Sequence, residues 1–242
     1  METNTYYQLQ QQKLLRNLSA FSKLLFSDLS AFYGKETARL IQRDTLAEYE
    51  RLIPQFPYVG GKENPLTTNL VEAGYGLALY RALLKHGGTL EQAGELICRA
   101  VERRVDRIPG LVRYWICRMY FSRRRFHAML QRAQASQQRH YAGNWVWEVI
   151  EGDGQSFDLG MDYTECGIDK FMRSQGAQEL TPYLCNTDYV LFRGLGMELV
   201  RTKTLAWGCD CCDFRIKRHG NMPPAWPPRF VERTCGRITT KE

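Results

Sequence analysis

"NWVWEVIEGDGQSFDLGMDYTEC" occupies residues 144–166. Its two halves are rich in aromatic and β-branched residues and alternate in polarity, the pattern of strands with one buried face. "GDGQ" (152–155) lies between them and supplies turn residues, so the stretch reads as a β-hairpin. Everything before it reads differently. Leu14, Leu15, Leu18, Phe21, Leu24 and Leu25, then Leu29, Phe32, Leu40, Ile41 and Leu46, recur mostly at steps of three and four, which predicts helix over 5–53. "IPQFPYVGGKENP" (53–65) ends that run with Pro and Gly. A further helix is expected up to Gly87–Gly88, then one opening on a capping box at Thr89 and Gln92, then one or two more over 111–141.

After the hairpin, "GIDKFMRSQGAQELTPYLCNTDYVLFRGLG" (167–196) predicts helix in two pieces, broken near Pro182. "MELVRTKTLAWG" (197–208) and "CCDFRIKR" (211–218) predict a second strand pair. The order strand, strand, helices, strand, strand implies an α+β fold: a helical N-terminal half packed with a four-stranded antiparallel sheet. The regions are then 1–140, helical; 141–218, α+β and forming one domain with it; and 219–242, a proline-rich irregular tail.

The chain has 242 residues, 44% hydrophobic and 24% charged, enough for a sizeable core. No stretch approaches the roughly 20 apolar residues of a membrane span, and the polar start does not resemble a signal peptide. A cytoplasmic protein with reduced cysteines and no membrane partner is expected. Cys98 and Cys117 fall in helical patterns and read as core residues. The net charge of +7 raises nucleic acid as a partner. The basic clusters "RAVERRVDR" and "FSRRRFHAMLQRAQ" have helical spacing and no nucleic-acid motif around them, so they read as solvated helix faces. A homodimer is left open.

The chemistry concentrates in three places. "MDYTECGIDKF" puts Asp162, Glu165 and Cys166 at a strand end and helix start, where Thr164 or Asp162 would cap the helix. A cysteine there meets the positive end of the helix dipole, which favours its thiolate, and a neighbouring carboxylate can act as acid or base. "TPYLCNTDYVLF" places Cys185 and Asp188 on one helix face. "ELVRTKTLAWG" gives Arg201, able to fork a carboxylate, with Thr202 and Thr204 on the other face if this is strand. Buried small cysteines and exposed ion pairs are the plainer readings of the same residues. Cys209, Cys211 and Cys212 resemble a metal knuckle, and with Cys166, Cys185 and His219 they supply soft zinc ligands. No second pair follows at zinc-finger spacing. Phosphate-loop, dinucleotide, zinc-protease and nucleophile-elbow motifs are absent from the sequence.

Five stretches together carry a resemblance: "IPQFPYVGGKENPLTTNL", "GLALYRALLKHG", "WVWEVIEGDGQSFDLGMDYTECGIDKF", "GAQELTPYLCNTDYVLF" and "GLGMELVRTKTLAWGCDCCDFRIK". From about residue 50 to 218 the chain resembles the bacterial L-2-amino-thiazoline-4-carboxylic acid hydrolase family. Where that family commonly has a second cysteine after "ECGI", this chain has Asp169. The departure argues against a dithiol or metal pair there. The resemblance implies hydrolytic opening of a cyclic amidine, 2-amino-thiazoline-4-carboxylate or a related small carboxylate, to an N-carbamoyl product. The layout is also similar to vinyl-reductase and haem-nitric-oxide-binding-type domains, which makes a non-catalytic small-molecule sensor or accessory domain the alternative. On the enzymatic reading, Cys166 is the nucleophile and Glu165 or Asp162 handles the amidine proton. Asp188 activates water, and Arg201, with Thr204, Cys185 and Cys212 nearby, holds the substrate. No cofactor is needed; a cysteine-held zinc is the variant.

Overall fold

The computed structural model describes residues 5–220 and 222–228. Nine α-helices and four strands are found among them. The expected helix over 5–53 is three: α1 (Thr5–Gln8), α2 (Gln11–Tyr33) and α3 (Lys35–Leu52). The break comes at Gly34, whose φ of 79° is a left-handed conformation that glycine adopts without cost. It folds α2 and α3 into a hairpin, which packs on α4 (Thr67–Lys85). Most of α4 is buried, and it runs through the core, with its exposed residues at its two ends. The capping box expected at the next helix, α5 (Leu90–Asp106), is present: the Gln92 amide donates to Thr89 Oγ1, and the Thr89 amide donates to the Gln92 side chain.

Helices α6 (Gly110–Tyr120) and α7 (Arg123–Ser136) lead into the sheet. Its strands are β1 (Val146–Glu151), β2 (Leu159–Glu165), β3 (Glu198–Val200) and β4 (Cys212–Lys217). All pairings are antiparallel and the order is β1-β2-β4-β3. The fold is therefore α+β with a four-stranded antiparallel sheet, as the sequence predicts. Between β2 and β3 lie α8 (Gly167–Ser174) and α9 (Thr181–Gly194). The break between them comes before Pro182, which sits in the first turn of α9, where its missing N–H has no partner to lose.

The hairpin turn is longer than "GDGQ". It runs over 152–158, and the Asp153 carboxylate accepts the amides of Gln155 and Ser156. Pairing of β2 with β4 joins the two hairpins and sets Tyr163 opposite Cys212 and Met161 opposite Phe214. Trp147 lies opposite Tyr163, and their rings stack at 5.5 Å. These side chains form the inner face of the sheet. Helices α7 and α9 pack beside it, and one hydrophobic cluster runs from Tyr7 through the sheet to Met222. Close approach of α5 to α9 depends on Gly94, where a Cβ would lie 2.2 Å from the Tyr183 ring.

The third expected strand is cut short. After Val200 the chain leaves the sheet, and Leu205–Trp207 form a 3₁₀ turn. Thr202 and Thr204 consequently do not share a strand face: Thr204 is buried and Thr202 exposed. The Asp213 carboxylate holds this segment, accepting from the Thr202 amide (2.8 Å), the Thr202 hydroxyl (2.5 Å) and the Lys203 amide (2.5 Å). Of the proline-rich tail, Met222 is buried and the Ala225 carbonyl accepts from Asn186, while residues 229–242 lie outside the described ones.

Candidate active site

Strand alternation decides which side chains can meet. Met161 and Tyr163 of β2, and Cys212 and Phe214 of β4, face the helices. Between that face and the helices lies a cavity of about 660 Å³. Cys166, Cys185, Asp188, Arg201 and Cys212 all border it. They come from five places: the start of α8, two positions of α9, the segment after β3, and the start of β4. The thiols of Cys166, Cys185 and Cys212 are near enough for charge on one to raise the pKa of another. Aromatic and aliphatic side chains, among them Trp145, Trp147, Tyr163 and Phe192, complete the interior.

Arg201 is the most enclosed charge. Its side chain is 3% exposed. It donates to the Asp188 carboxylate at 3.0 Å and to the Cys185 carbonyl at 3.0 Å. The guanidinium lies 5.1 Å from the Tyr189 ring centre and 5.0 Å from that of Phe214. Its charge is therefore met by Asp188 within the protein, which does not favour Arg201 as the clamp for a substrate carboxylate. Burial raises the pKa of Asp188 and the arginine opposes the rise. Asp188 is a carboxylate tuned upward, toward the range useful for proton transfer.

Cys166 stands at the start of α8, as the sequence implies; it is itself the N-cap, whereas Thr164 and Asp162, the expected caps, belong to β2. Burial pushes the Cys166 thiol up to about 12, against the pull of the Asp169 and Ile168 amides. The lowered pKa expected from the helix dipole is not found, because desolvation of a thiolate outweighs two amides. Cys166 is half-buried because it faces the cavity rather than bulk water. Cys212 sits deeper. Its sulfur takes the Leu205 amide at 3.2 Å and contacts the Thr204 hydroxyl at 3.4 Å, and that hydroxyl also reaches Cys185 Sγ at 4.0 Å. Burial raises the Cys212 pKa, with Thr204, Leu205 and Arg201 opposing.

Glu165 and Asp162 do not border the cavity. Asp162 is on the outer face of β2, held by Arg215 at 2.6 and 3.3 Å. Glu165 turns to Lys170 and to Arg139, the latter at 2.8 Å, and Lys170 also donates to the carbonyls of Ala142 and Asn144. Both carboxylates tie the chain together locally. Tyr120, Arg125, Met129 and Arg132 also line the cavity, and no motif in the sequence marks them. Arg125, Met129 and Arg132 recur at steps of four and three along α7, so helical spacing was the available signal.

Among the described residues, no group of three or more His, Cys, Asp and Glu side chains is placed to hold a metal ion. The three thiols are not arranged as zinc ligands. Nor are all cysteines reduced: Cys209 is disulfide-bonded, whereas Cys98, Cys117, Cys166, Cys185, Cys211 and Cys212 are free.

The family model of L-2-amino-thiazoline-4-carboxylic acid hydrolase matches residues 68–216, more than half of the chain. The chain belongs to that hydrolase family. The match runs from α4 to β4 and contains Cys166, Cys185, Asp188, Arg201 and Cys212. Comparison with curated proteins and with solved structures gives no match. The expected likeness to vinyl-reductase-type domains is therefore not confirmed.

Proposed function

We propose that the protein hydrolyses a cyclic amidine carboxylate at this cavity by way of a cysteine adduct. The observation that carries the reading is the convergence of three free thiols with the Asp188–Arg201 pair on one mostly apolar cavity, within the family match. Cys166 is the nucleophile. It faces the cavity, and the α8 amides stabilise negative charge as it develops on sulfur.

With its pKa pushed up, Cys166 enters as a thiol. Its sulfur bonds to the amidine carbon while its proton passes to Asp188 or to the substrate's own basic nitrogen. The ring carbon–sulfur bond then breaks, and the ring sulfur takes a proton to become a free thiol. A water molecule, deprotonated by Asp188, adds to the same carbon. Cys166 leaves as the thiol, and a urea remains. One water is consumed and nothing is oxidised. Arg201 positions Asp188 from behind and keeps it ionisable.

The cavity falls in the range of roughly 300–1,000 Å³ that encloses drug-sized ligands. A lone thiazoline ring with a carboxylate fills a small part of it. The reading therefore includes a larger apolar substituent on the substrate, with its anionic group held at the mouth, where Arg125 and Arg132 have no carboxylate partner among the described residues.

A second reading, with Cys212 as the nucleophile, is favoured by the donors on its sulfur. The test is release of free thiol from 2-amino-thiazoline-4-carboxylate and from bulkier 2-aminothiazoline carboxylates, with intact-mass detection of the adduct. Thiol release by the parent chain and its loss in Cys166→Ala are expected. Full activity in Cys166→Ala with loss in Cys212→Ala moves the nucleophile to Cys212. Absence of release from every compound rejects hydrolysis of this class.

A further inference from the structure

Helix α6 is built inside out. Leu111, Val112, Trp115, Ile116 and Met119 form one apolar stripe, and all are exposed; Leu111 is 70%, Trp115 52% and Met119 65% exposed. The buried side is marked by Cys117, which contacts the Arg218 carbonyl. An amphipathic helix of a globular protein ordinarily turns such a stripe inward, and a contiguous exposed apolar patch marks an interaction surface.

The charge carried by α6 and α7 themselves has one sign. Residues 107–147 contain eight arginines and not one Asp or Glu. Arg113 reaches Asp106 and Arg139 reaches Glu165, both carboxylates from outside the stretch. Arg107, Arg118, Arg123 and Arg124 are exposed and, among the described residues, meet no carboxylate. A second copy docking on this stripe would bring the same uncompensated arginines against them. A nucleic acid would match the charge but leave the aliphatic side chains without a use. An anionic lipid surface matches both, since acyl chains receive the stripe and phosphates receive the arginines.

We propose that α6 is a peripheral docking helix for anionic phospholipid bilayers. It lies in the plane of the interface, with Trp115, Leu111 and Met119 inserted at the headgroup boundary and the flanking arginines on phosphates. No helix among the described residues is long and apolar enough to cross a membrane, so the association is with the surface. Tyr120 ends α6 and Arg125 follows in α7, and both line the cavity, so the docked helix adjoins the cavity wall.

The test is co-sedimentation of the full chain with vesicles of phosphatidylcholine alone or mixed with phosphatidylglycerol. Binding to the mixed vesicles, weakened by added salt, is expected. Arg123→Gln with Arg124→Gln lowers the affinity on the order of thirtyfold. Leu111→Ser, Trp115→Ser and Met119→Ser together abolish binding while the unfolding temperature and thiol-releasing activity stay at the parent level. Equal binding to neutral vesicles, or none to either, overturns the proposal. So does a dimer in sedimentation velocity that the triple variant dissolves without any vesicle binding. A mobility shift with RNA that the arginine variant removes and the triple variant leaves intact overturns it as well.

Discussion

Arg201 reaches Asp188 from between the rings of Tyr189 and Phe214, so a single enclosed guanidinium orients the carboxylate on the cavity wall. Its replacement by Gln leaves Asp188 short of its charged partner. Breaking a buried pair costs about 3–5 kcal/mol, and the opening of Asp188 to the cavity places this pair near the low end. Denaturant unfolding of Arg201→Gln is expected to show that loss, and thiol release to fall with it.

On the proposed mechanism, Asp188 also sets the acid limb of activity. Its pKa is raised by burial, so protonation begins above the usual carboxylate range. Activity is expected to rise with pH through that raised value and to plateau once Asp188 is ionised. A pH–rate profile of Asp188→Asn checks this: a low residual rate without the acid limb is the expected result.

Cys166 should label slowly. With its thiol pushed up to about 12, little thiolate exists at neutral pH, and alkylation by iodoacetamide is expected to accelerate tenfold per pH unit well into the alkaline range. Peptide mapping of the labelled protein reports it. Cys166→Ala should lower turnover on the order of a thousandfold or more.

Glu165 behaves as a tether rather than an acid. Lys170 and Arg139 lower its pKa beneath the ordinary 4.5. The stabilisation is present above 4.5 and disappears as pH falls through the lowered folded-state value. Glu165→Gln is expected to keep its activity and to lose less than about 1 kcal/mol at neutral pH, since the pair is partly open to solvent. Unfolding curves at neutral and acid pH measure both, and the parent's advantage should vanish at the acid end.

Gly94→Ala tests the α5–α9 contact. The added Cβ meets the Tyr183 ring at 2.2 Å, and overpacking of this kind costs roughly 1–3 kcal/mol. Thermal unfolding reads the loss directly.

Periodicity made the fold legible. Alternation around Gly152–Gln155 and helical spacing elsewhere placed the sheet after the helices, and the structure follows that order. Helix breaks were less visible, because Gly34 sits in an uninterrupted helical pattern and acts through backbone freedom that periodicity does not register. At the site, Cys166, Cys185, Asp188, Arg201 and Cys212 were found by residue type and do share a cavity. Glu165 and Asp162 are near Cys166 in sequence, but neither reaches the cavity. The direction of the Cys166 pKa was also out of reach, since the helix dipole is readable from sequence and the depth of burial is not.

Consecutive residues of β4 secure the 201–205 segment from opposite faces of the sheet. Cys212 takes the Leu205 amide on the cavity side, and Asp213 takes the Thr202 and Lys203 amides on the other. A slip of β4 by one residue would exchange these two faces, turning a carboxylate into the cavity and a thiol toward solvent while releasing three backbone amides. The strand therefore has one tolerable register, and that register fixes where Arg201 leaves the sheet. Precision at the cavity wall is thus inherited from a choice of strand pairing.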